Sequence, residues 1–351
     1  MSKKSLFALL LALCLLVSAI GCSQPAATTT TPAPAESQAP ADAPAEPAAL
    51  YTAGSYTAEG AGKNAPVKVS VTFSDDAITD VQVVEHKETS GIADAPIERI
   101  PKAIVENQSL NIDTIAGATM TSDAILAAVA DCVVQAGGDV EALKAVSVEK
   151  EEGTGEIVKE ETEVIVVGAG GAGLAAAVQL GELNTKCIVL EKMPTTGGNT
   201  ARSGAAYNAV DPELQAEFGI EDSIEKHIQQ TYDGGDQIAN LDLIRILCEN
   251  SLETIKWLES YGTEWQHNIT AVIGATWPRT HYPKNSVGSD FTIPLEKAAT
   301  TQYNQKIMVD TRVTEIILED GRAVGVKAVS TVDGTEYEFR ASKGVIMATG
   351  G

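Results

Sequence analysis

The sequence is poor in the residues that hold metals and disulfide frameworks. Only three of its five cysteines lie beyond residue 22, and they are widely spaced, at Cys132, Cys187 and Cys248. Neither a CxxC nor a CxxCH motif occurs, and the four histidines lack the spacing of metal ligands. These absences argue against a disulfide-rich domain, a zinc ribbon and an attached c-type haem. We therefore expect no metal site.

Basic residues are also scarce, with 25 Lys and Arg against 48 Asp and Glu and a formal net charge of -23. Because a nucleic-acid surface needs clustered Lys and Arg, this balance argues against nucleic acid as a partner. The charge itself can serve solubility alone. A length of 351 residues with 44% hydrophobic residues is enough for two domains with ordinary cores.

The N-terminus has the pattern of an export signal. Lys3 and Lys4 precede an apolar stretch at 6–20, which is short for a membrane-spanning helix and typical of a signal peptide. Small residues before Cys22 resemble a bacterial lipoprotein signal, in which the cysteine is acylated. We predict a lipoprotein signal at 1–22 with lipid on Cys22; a non-cleaved anchor or a plain secretory signal is the alternative.

Residues 23–49 consist mainly of Ala, Pro, Thr and Glu, with almost no large apolar side chain. Such a segment buries too little surface to fold, so we predict a disordered tether. Together with lipid on Cys22, it predicts an exported protein on the outer face of the bacterial cytoplasmic membrane. The only membrane attachment we expect is this lipid anchor.

A small α+β domain is predicted at 50–148. Apolar and polar residues alternate at 67–73, and a similar pattern at 78–85 suggests an antiparallel hairpin. Helices are predicted at 96–106 and 124–136.

The loop between these helices has features of a ligand-binding loop. Small residues at 116–118 would let a ligand approach the backbone. Thr121 or Ser122 would cap the next helix, whose N-terminus favours a phosphate. From these features alone, an ordinary helix-capping loop stays open.

The domain resembles the FMN-binding domain of respiratory flavoproteins, including a subunit of the sodium-pumping quinone reductase. That family carries FMN on the last Thr of Asp-x-x-(Ser/Thr)-Gly-Ala-Thr, through the FMN phosphate. Asp113, Gly117, Ala118 and Thr119 occupy motif positions, whereas Ala116 replaces the family's Ser or Thr. The resemblance implies covalent FMN on Thr119 and a flavin transferase as partner.

After a charged, Gly-containing linker at 149–161, four segments follow in the order of a dinucleotide-binding fold: strand, glycine turn, helix and strand. They are 164–167, 168–173, 174–183 and 187–190. In this fold Gly168 makes the tight turn, Gly170 lets the backbone meet the pyrophosphate, and Gly173 allows close helix–strand contact. Glu191 would bind the ribose hydroxyls. The motif alone leaves FAD and NAD open.

Downstream glycines and small residues indicate backbone contact with a long, flat cofactor. They resemble the flavoprotein subunit family of fumarate reductase and succinate dehydrogenase, which includes flavocytochrome-type fumarate reductases and urocanate reductase. The end of the chain, 345–351, resembles that family's strand and Ala-Thr-Gly-Gly turn. The resemblance covers 162–351 and implies a Rossmann-like FAD-binding domain, here its N-terminal part. Besides the first turn and Glu191, the FAD-binding residues implied are Lys192, Gly197, Gly198, Asn199, Thr200, Ser203, Gly204, Thr349 and Gly350.

A substrate site is also implied. The segment 277–283 resembles the family's Arg-x-His-x-Pro, and 288–290 resembles its Gly-x-(Glu/Asp). By this resemblance His281 contacts a substrate carboxylate and Asp290 contacts substrate. The alternative is a surface-loop histidine and a helix-capping aspartate.

The family reduces an activated carbon–carbon double bond of a small carboxylate such as fumarate, urocanate or a related acrylate. The resemblance implies electron flow from a membrane donor, a quinone or flavin chain, through FMN to FAD.

The family's proton-donating arginine follows the Ala-Thr-Gly-Gly turn, so we expect the proton donor beyond Gly351, the last residue of that turn. The arginines that do not match the donor's motif are Arg202, Arg279, Arg312 and Arg322. The catalytic residue therefore stays unknown within these residues. We expect the N-terminal part of a longer reductase, inactive alone.

Two other functions stay open. One is a membrane-tethered FMN electron carrier without catalysis of its own, and the other is a flavin oxidase or dehydrogenase of the same fold.

Overall fold

The computed structural model describes residues 49–148, 155–273 and 276–350. The predicted signal peptide with Cys22, and the predicted tether up to residue 48, lie outside these residues. Gly351, beyond which the proton-donating arginine is expected, also lies outside them, so that expectation stays a prediction. Within the described ranges, no helix is both long and apolar enough to cross a bilayer.

The first domain packs helices on one antiparallel sheet. Its strands, in the order β1-β2-β3, are β1 (Gly54–Gly60), β2 (Val67–Phe73) and β3 (Ile78–Glu85). Its helices are α1 (Asp94–Asn107), α2 (Thr119–Gln135) and α3 (Val140–Ala145). The alternating residues of β2 bury Val67, Val69 and Val71 in a core that also contains Ile125 and Val129 of α2. The predicted hairpin therefore forms, with the predicted bounds.

The second domain is built on a six-stranded sheet in the order β8-β5-β4-β11-β10-β9. The first four strands in this order are parallel, and β10 and β9 are antiparallel additions. The strands are β4 (Val158–Val167), β5 (Cys187–Leu190), β8 (Lys306–Met308), β9 (Thr311–Glu319), β10 (Arg322–Ser330) and β11 (Glu336–Met347). A two-stranded sheet is formed by β6 (Tyr207–Asn208) and β7 (Thr280–His281).

Helices cover this sheet and form its neighbouring layer. They are α4 (Gly171–Glu182), α5 (Gly198–Arg202), α6 (Pro212–Glu217), α7 (Ile224–Gly234), α8 (Leu241–Ser260) and α9 (Ser289–Lys297), the last continued by a π-helical turn at Ala298–Gln302. The run 164–167 is buried on both faces of the sheet, as expected of a central parallel strand.

Two boundaries differ from the sequence predictions by four residues or more. Residues 158–161, predicted as linker, belong to β4, because they pair with β11 between Tyr337 and Arg340. Helix α2 begins at Thr119, five residues before its predicted start. The capping prediction for Thr121 and Ser122 was wrong, since both lie inside the helix and their hydroxyls bond other groups.

Candidate flavin sites

The glycine turn between β4 and α4 has the shape that a dinucleotide needs. Gly168 has φ +102°, and a Cβ there would lie 2.5 Å from the Ala348 carbonyl oxygen. A Cβ on Gly173 would overlap the Gly168 carbonyl oxygen. At Gly170, by contrast, a Cβ would meet nothing within 4 Å, so the space before the start of α4 is open. The first amides of a helix lack intrahelical acceptors, and such a space suits a pyrophosphate.

Glu191 lies at the end of β5 and is buried. One carboxylate oxygen accepts from the Ala169 amide at 2.8 Å and the other from the Met193 amide at 2.9 Å. These bonds hold the carboxylate beside the glycine turn. Its contact with ribose hydroxyls stays a prediction.

The segment 197–200 folds back onto the same turn. The Gly197 amide donates to the Ala169 carbonyl at 2.7 Å, and a Cβ on Gly198 would lie 3.3 Å from the Gly170 Cα. The Thr200 hydroxyl accepts from the Gly171 amide at 3.2 Å, at the first residue of α4. Segments far apart in sequence are thus brought together as the cofactor motif predicts.

The glycine turn at 168–173 and the segment 197–200 together form what we call the FAD cradle. The remaining predicted FAD residues surround it. The Ser203 hydroxyl donates to the Thr200 carbonyl at 2.8 Å. The Ala348 amide donates to the Val167 carbonyl at 2.8 Å, which seats the final turn beside Gly168. Side chains or backbone at the other predicted positions are exposed: Lys192, Asn199, Gly204, Thr349 and Gly350. The residues present fit a dinucleotide lying across exposed backbone.

Thr119 is the exposed first residue of α2. The preceding loop has a fixed shape, because Gly117 has φ +81° and the Ser122 hydroxyl accepts from the Ile115 amide and donates to the Ala118 carbonyl, each at 3.0 Å. A left-handed residue at this point favours glycine. Exposure of Thr119 next to a helix N-terminus fits a phosphate-linked group.

Sequence reasoning missed Glu88, which the structure buries under this motif. Its carboxylate accepts from the Thr121 hydroxyl at 2.7 Å and from the Asn64 amide at 2.9 Å. Burial alone would raise the pKa of Glu88, but these and neighbouring hydrogen bonds outweigh it and lower the pKa. A charged loop residue gives no sequence signal of burial. Glu88 fixes the first turn of α2, which carries Thr119.

His281 lies in β7 with 2% of its surface exposed, so it is not a surface-loop residue. Its Nδ1 is 3.2 Å from the Arg279 carbonyl oxygen. Its Nε2 makes no hydrogen bond and lies 3.5 Å from an Asp211 carboxylate oxygen. The Trp265 ring packs edge-on against the imidazole at 6.2 Å between centroids. Within the part of the chain that the structure describes, Nε2 is therefore a buried polar atom without a hydrogen-bond partner.

Asp290 is the second residue of α9 and has different partners. Its two carboxylate oxygens accept from the Asn285 backbone amide at 2.9 Å and side-chain amide at 3.0 Å. Among the contacts described for 276–290, no hydrogen bond or ion pair joins His281 to Asp290. The carboxylate of Asp290 closes the turn that precedes α9.

Arg279, two residues before His281, has a structural role that the sequence did not indicate. It donates from Nε and Nη2 to the two carboxylate oxygens of Asp222, each at 2.8 Å, and both side chains are buried. Burial would raise the pKa of Asp222, but the bonds from Arg279 and Gln215 lower it. This pair holds the start of α7 against the segment that leads into β7.

Comparison with known protein families agrees with the FAD cradle and with the FMN motif at 113–119. The family model for the FAD binding domain matches residues 163–351, and the one for the FMN-binding domain matches 62–134. The chain therefore belongs to the FAD-binding-domain family of oxidoreductases and carries an FMN-binding domain before it. The predicted cofactors, FAD and FMN, and the predicted fold class are confirmed.

Its relatives are reductases. NADH:acrylate oxidoreductase of Vibrio harveyi is 34% identical, over 86% of this chain and 36% of its own length. Urocanate reductase of Eggerthella lenta is 34% identical, over 84% and 49%. An open conformation of a flavocytochrome c3 fumarate reductase superposes with a TM-score of 0.51 at 33% identity, over 55% of this chain and 34% of that one. The chain thus spans about a third to a half of the length of these relatives.

Proposed function

We propose that this chain forms the FMN- and FAD-binding part of a reductase that adds a hydride and a proton across an activated C=C bond. Its substrate class would be small unsaturated carboxylates, the compounds after which its acrylate, urocanate and fumarate reductase relatives are named. The observation that carries the proposal is that the FMN motif and the FAD cradle are in contact. Arg202, beside the FAD cradle, donates a hydrogen bond to the carbonyl of Gly117 in the FMN motif.

Bound FMN and FAD would supply electron transfer and hydride delivery. The residues of this chain bind and orient them. Gly168 and Gly173 would allow the tight turn and the close approach of α4, and Gly170 would leave room for the pyrophosphate. Glu191 would bind the ribose hydroxyls, and Thr119 would present a hydroxyl for attachment of the FMN phosphate by a flavin transferase.

For the substrate we propose His281, because its buried Nε2 has no hydrogen-bond partner among the described residues and is therefore available to a bound carboxylate compound. A carboxylate oxygen of Asp211 lies 3.5 Å from the same nitrogen, beside the position proposed for the substrate. The role predicted for Asp290 stays a prediction, since each of its carboxylate oxygens already accepts one hydrogen bond from Asn285. We assign proton donation to no arginine of this chain.

We also propose that the protein is exported and held on the outer face of the cytoplasmic membrane by lipid on Cys22, so that a membrane quinol or reduced flavin carrier supplies its electrons. The sequence of 1–49 supports this. Metabolic labelling with a radioactive fatty acid should mark the protein, and Cys22→Ser should lose the label and enter the soluble fraction. Unchanged labelling would contradict the proposal.

Flavin content tests the cofactor assignment. The protein is produced with a flavin transferase, denatured, and run on a gel under ultraviolet light. We expect a fluorescent protein band that Thr119→Ala abolishes, with FAD released into the supernatant from both. Thr114→Ala, an exposed threonine of the same loop, is the matched control and should keep the band. A band that survives in Thr119→Ala places the flavin elsewhere.

Substrate class is tested on the whole gene product with reduced viologen as donor. Acrylate, urocanate and fumarate are compared, and oxidation of the viologen by one of them supports the proposal. Oxygen consumption with a reduced organic substrate would instead indicate an oxidase. Reduction of FMN without turnover of any acceptor would indicate an electron carrier.

A further inference from the structure

The FMN motif lies directly against the FAD-binding segment. A Cβ on Gly117 would overlap the Arg202 guanidinium and would lie 3.3 Å from the Met193 methyl carbon. Gly117 is two residues from Thr119, and Met193 is two residues from Glu191. The surfaces that meet therefore belong to the two cofactor sites themselves.

Arg202 connects two carbonyl groups, one from each domain. Its Nη1 donates to Gly198 at 2.8 Å, inside the FAD segment, and its Nη2 donates to Gly117 at 3.3 Å, inside the FMN motif. A guanidinium presents its donors in one rigid plane, so the two bonds fix the direction between the two carbonyls. A smaller side chain at 202 could not reach both.

A second contact prevents rotation about this point. Arg99 of α1 pairs with Asp310 at 2.7 Å, and its other nitrogen lies 3.4 Å from the Pro194 carbonyl oxygen. A Cβ on Gly91 would lie 3.5 Å from Ile293 of α9. Two separated contacts define an orientation, which one contact cannot.

We infer that Arg202 is a positioning residue that holds the FMN motif in place over the FAD cradle for electron transfer between the two flavins. This inference rests on the proposed function. The contacts are few and partly exposed, so the docked state is one of modest stability. Docking raises the effective concentration of one site at the other beyond what a flexible connection gives.

Rapid reduction measures the positioning role. The FMN of each variant is reduced in a stopped-flow instrument, and the rate at which FAD becomes reduced is followed. We expect Arg202→Ala to slow this rate about three- to tenfold, which corresponds to the loss of about one partly exposed hydrogen bond. Arg245→Ala, an exposed arginine of α8, is the matched control and should keep the rate. Equal rates in the two variants would overturn the inference.

A disulfide distinguishes positioning from a direct chemical effect. A Cβ on Gly91 would lie 3.8 Å from the Ser289 Cβ, within the range of natural disulfides. Gly91→Cys with Ser289→Cys should crosslink under mild oxidation, and peptide mass spectrometry would map the bond. In the crosslinked protein Arg202→Ala should no longer slow electron transfer. A persistent slowing would mean that Arg202 acts on a flavin directly and would overturn the positioning role.

Because Gly91 has φ +80°, cysteine there is strained, and a failed crosslink needs a second measurement. Backbone amide hydrogen exchange at 113–119 provides this second measurement, since it requires no bound flavin. Arg202→Ala should accelerate exchange there while Arg245→Ala should not, and unchanged exchange together with no crosslink would overturn the inference. Loss of fluorescence at Thr119 with an intact crosslink would instead contradict the proposed function alone.

Discussion

Alanine substitutions at two glycines of the turn between β4 and α4 should have different effects on cofactor binding and on folding. Gly170 faces open space, so Gly170→Ala should fold normally and lose FAD, because its methyl group occupies the pyrophosphate position. Gly173→Ala should also lose FAD, and in addition its free energy of unfolding should fall by about 1 to 3 kcal/mol, because its Cβ would overlap the Gly168 carbonyl. Flavin absorbance after gel filtration and the free energy of unfolding in urea measure the two effects.

The matched control is Gly234→Ala at the end of α7, where a Cβ would also meet nothing within 4 Å. This variant should keep both FAD and stability. Full FAD content in Gly170→Ala would show that the pyrophosphate does not lie at this turn.

A buried histidine should make the protein sensitive to mild acid. The pKa of His227 is lowered to about 4 from 6.5, chiefly because burial disfavours the imidazolium and also because Arg279 repels it, with Asp222 acting in the opposite direction. The unfolded chain binds this proton more readily, so stability is complete above pH 6.5 and falls as the pH drops towards 4. From pH 7 to 4.5 this one group should cost about 2 to 3 kcal/mol.

Urea unfolding at the two pH values measures this loss, with His227→Leu for comparison. The comparison isolates the histidine, because carboxylates titrate in both proteins. Among residues 49–148, 155–273 and 276–350, His227 Nδ1 has no hydrogen-bond partner that the substitution would remove. We expect the variant to lose about 2 to 3 kcal/mol less than the wild type. An equal loss would mean that His227 does not titrate in this range.

At the scale of elements, prediction succeeded where the pattern is local. The bounds of β2, β3 and β5 follow from alternation and from a short β-branched run. The start of α2 was missed because Glu88, from a loop well before it, holds the first turn. Residues 158–161 were missed as strand because their partner, β11, is remote in sequence. Long-range partners leave no periodic signal.

The bond between Glu88 and Thr121 should stabilise the first turn of α2. Glu88→Gln and Thr121→Val are combined in a double-mutant cycle, measured by urea unfolding. We expect each change to cost about 1 to 3 kcal/mol and a coupling energy of about 1 to 2 kcal/mol, since a buried carboxylate loses its donor. Ser55 and Thr72, an exposed hydroxyl pair at 2.9 Å, give the comparison cycle, with a coupling below about 0.5 kcal/mol. Equal coupling energies in the two cycles would mean that the bond from Thr121 to Glu88 does not specifically stabilise the first turn of α2.

At the scale of the whole molecule, the cofactor turns could be predicted because glycines at fixed spacing carry their own backbone requirement. The contact between the domains could not, since single residues such as Arg99 and Arg202 look like ordinary exposed arginines in the sequence. The substrate residues were the least predictable. His281 proved to be buried under Trp265, and Asp290 bonds Asn285. Side-chain burial depends on segments that a motif does not contain.

The two domains have separate hydrophobic cores, joined mainly by polar contacts such as Arg99–Asp310. We therefore expect two unfolding transitions by calorimetry. FAD binds one of the folded domains only, so FAD at a hundred times its dissociation constant should stabilise that domain by about 2.7 kcal/mol and leave the FMN domain unchanged. Chromophore-free protein titrated with FAD provides the measurement, and AMP serves as the control ligand. If FAD raises the midpoint temperatures of both transitions together, the two domains unfold as one unit. The contact around Arg202 would then be far stronger than its exposed hydrogen bonds allow.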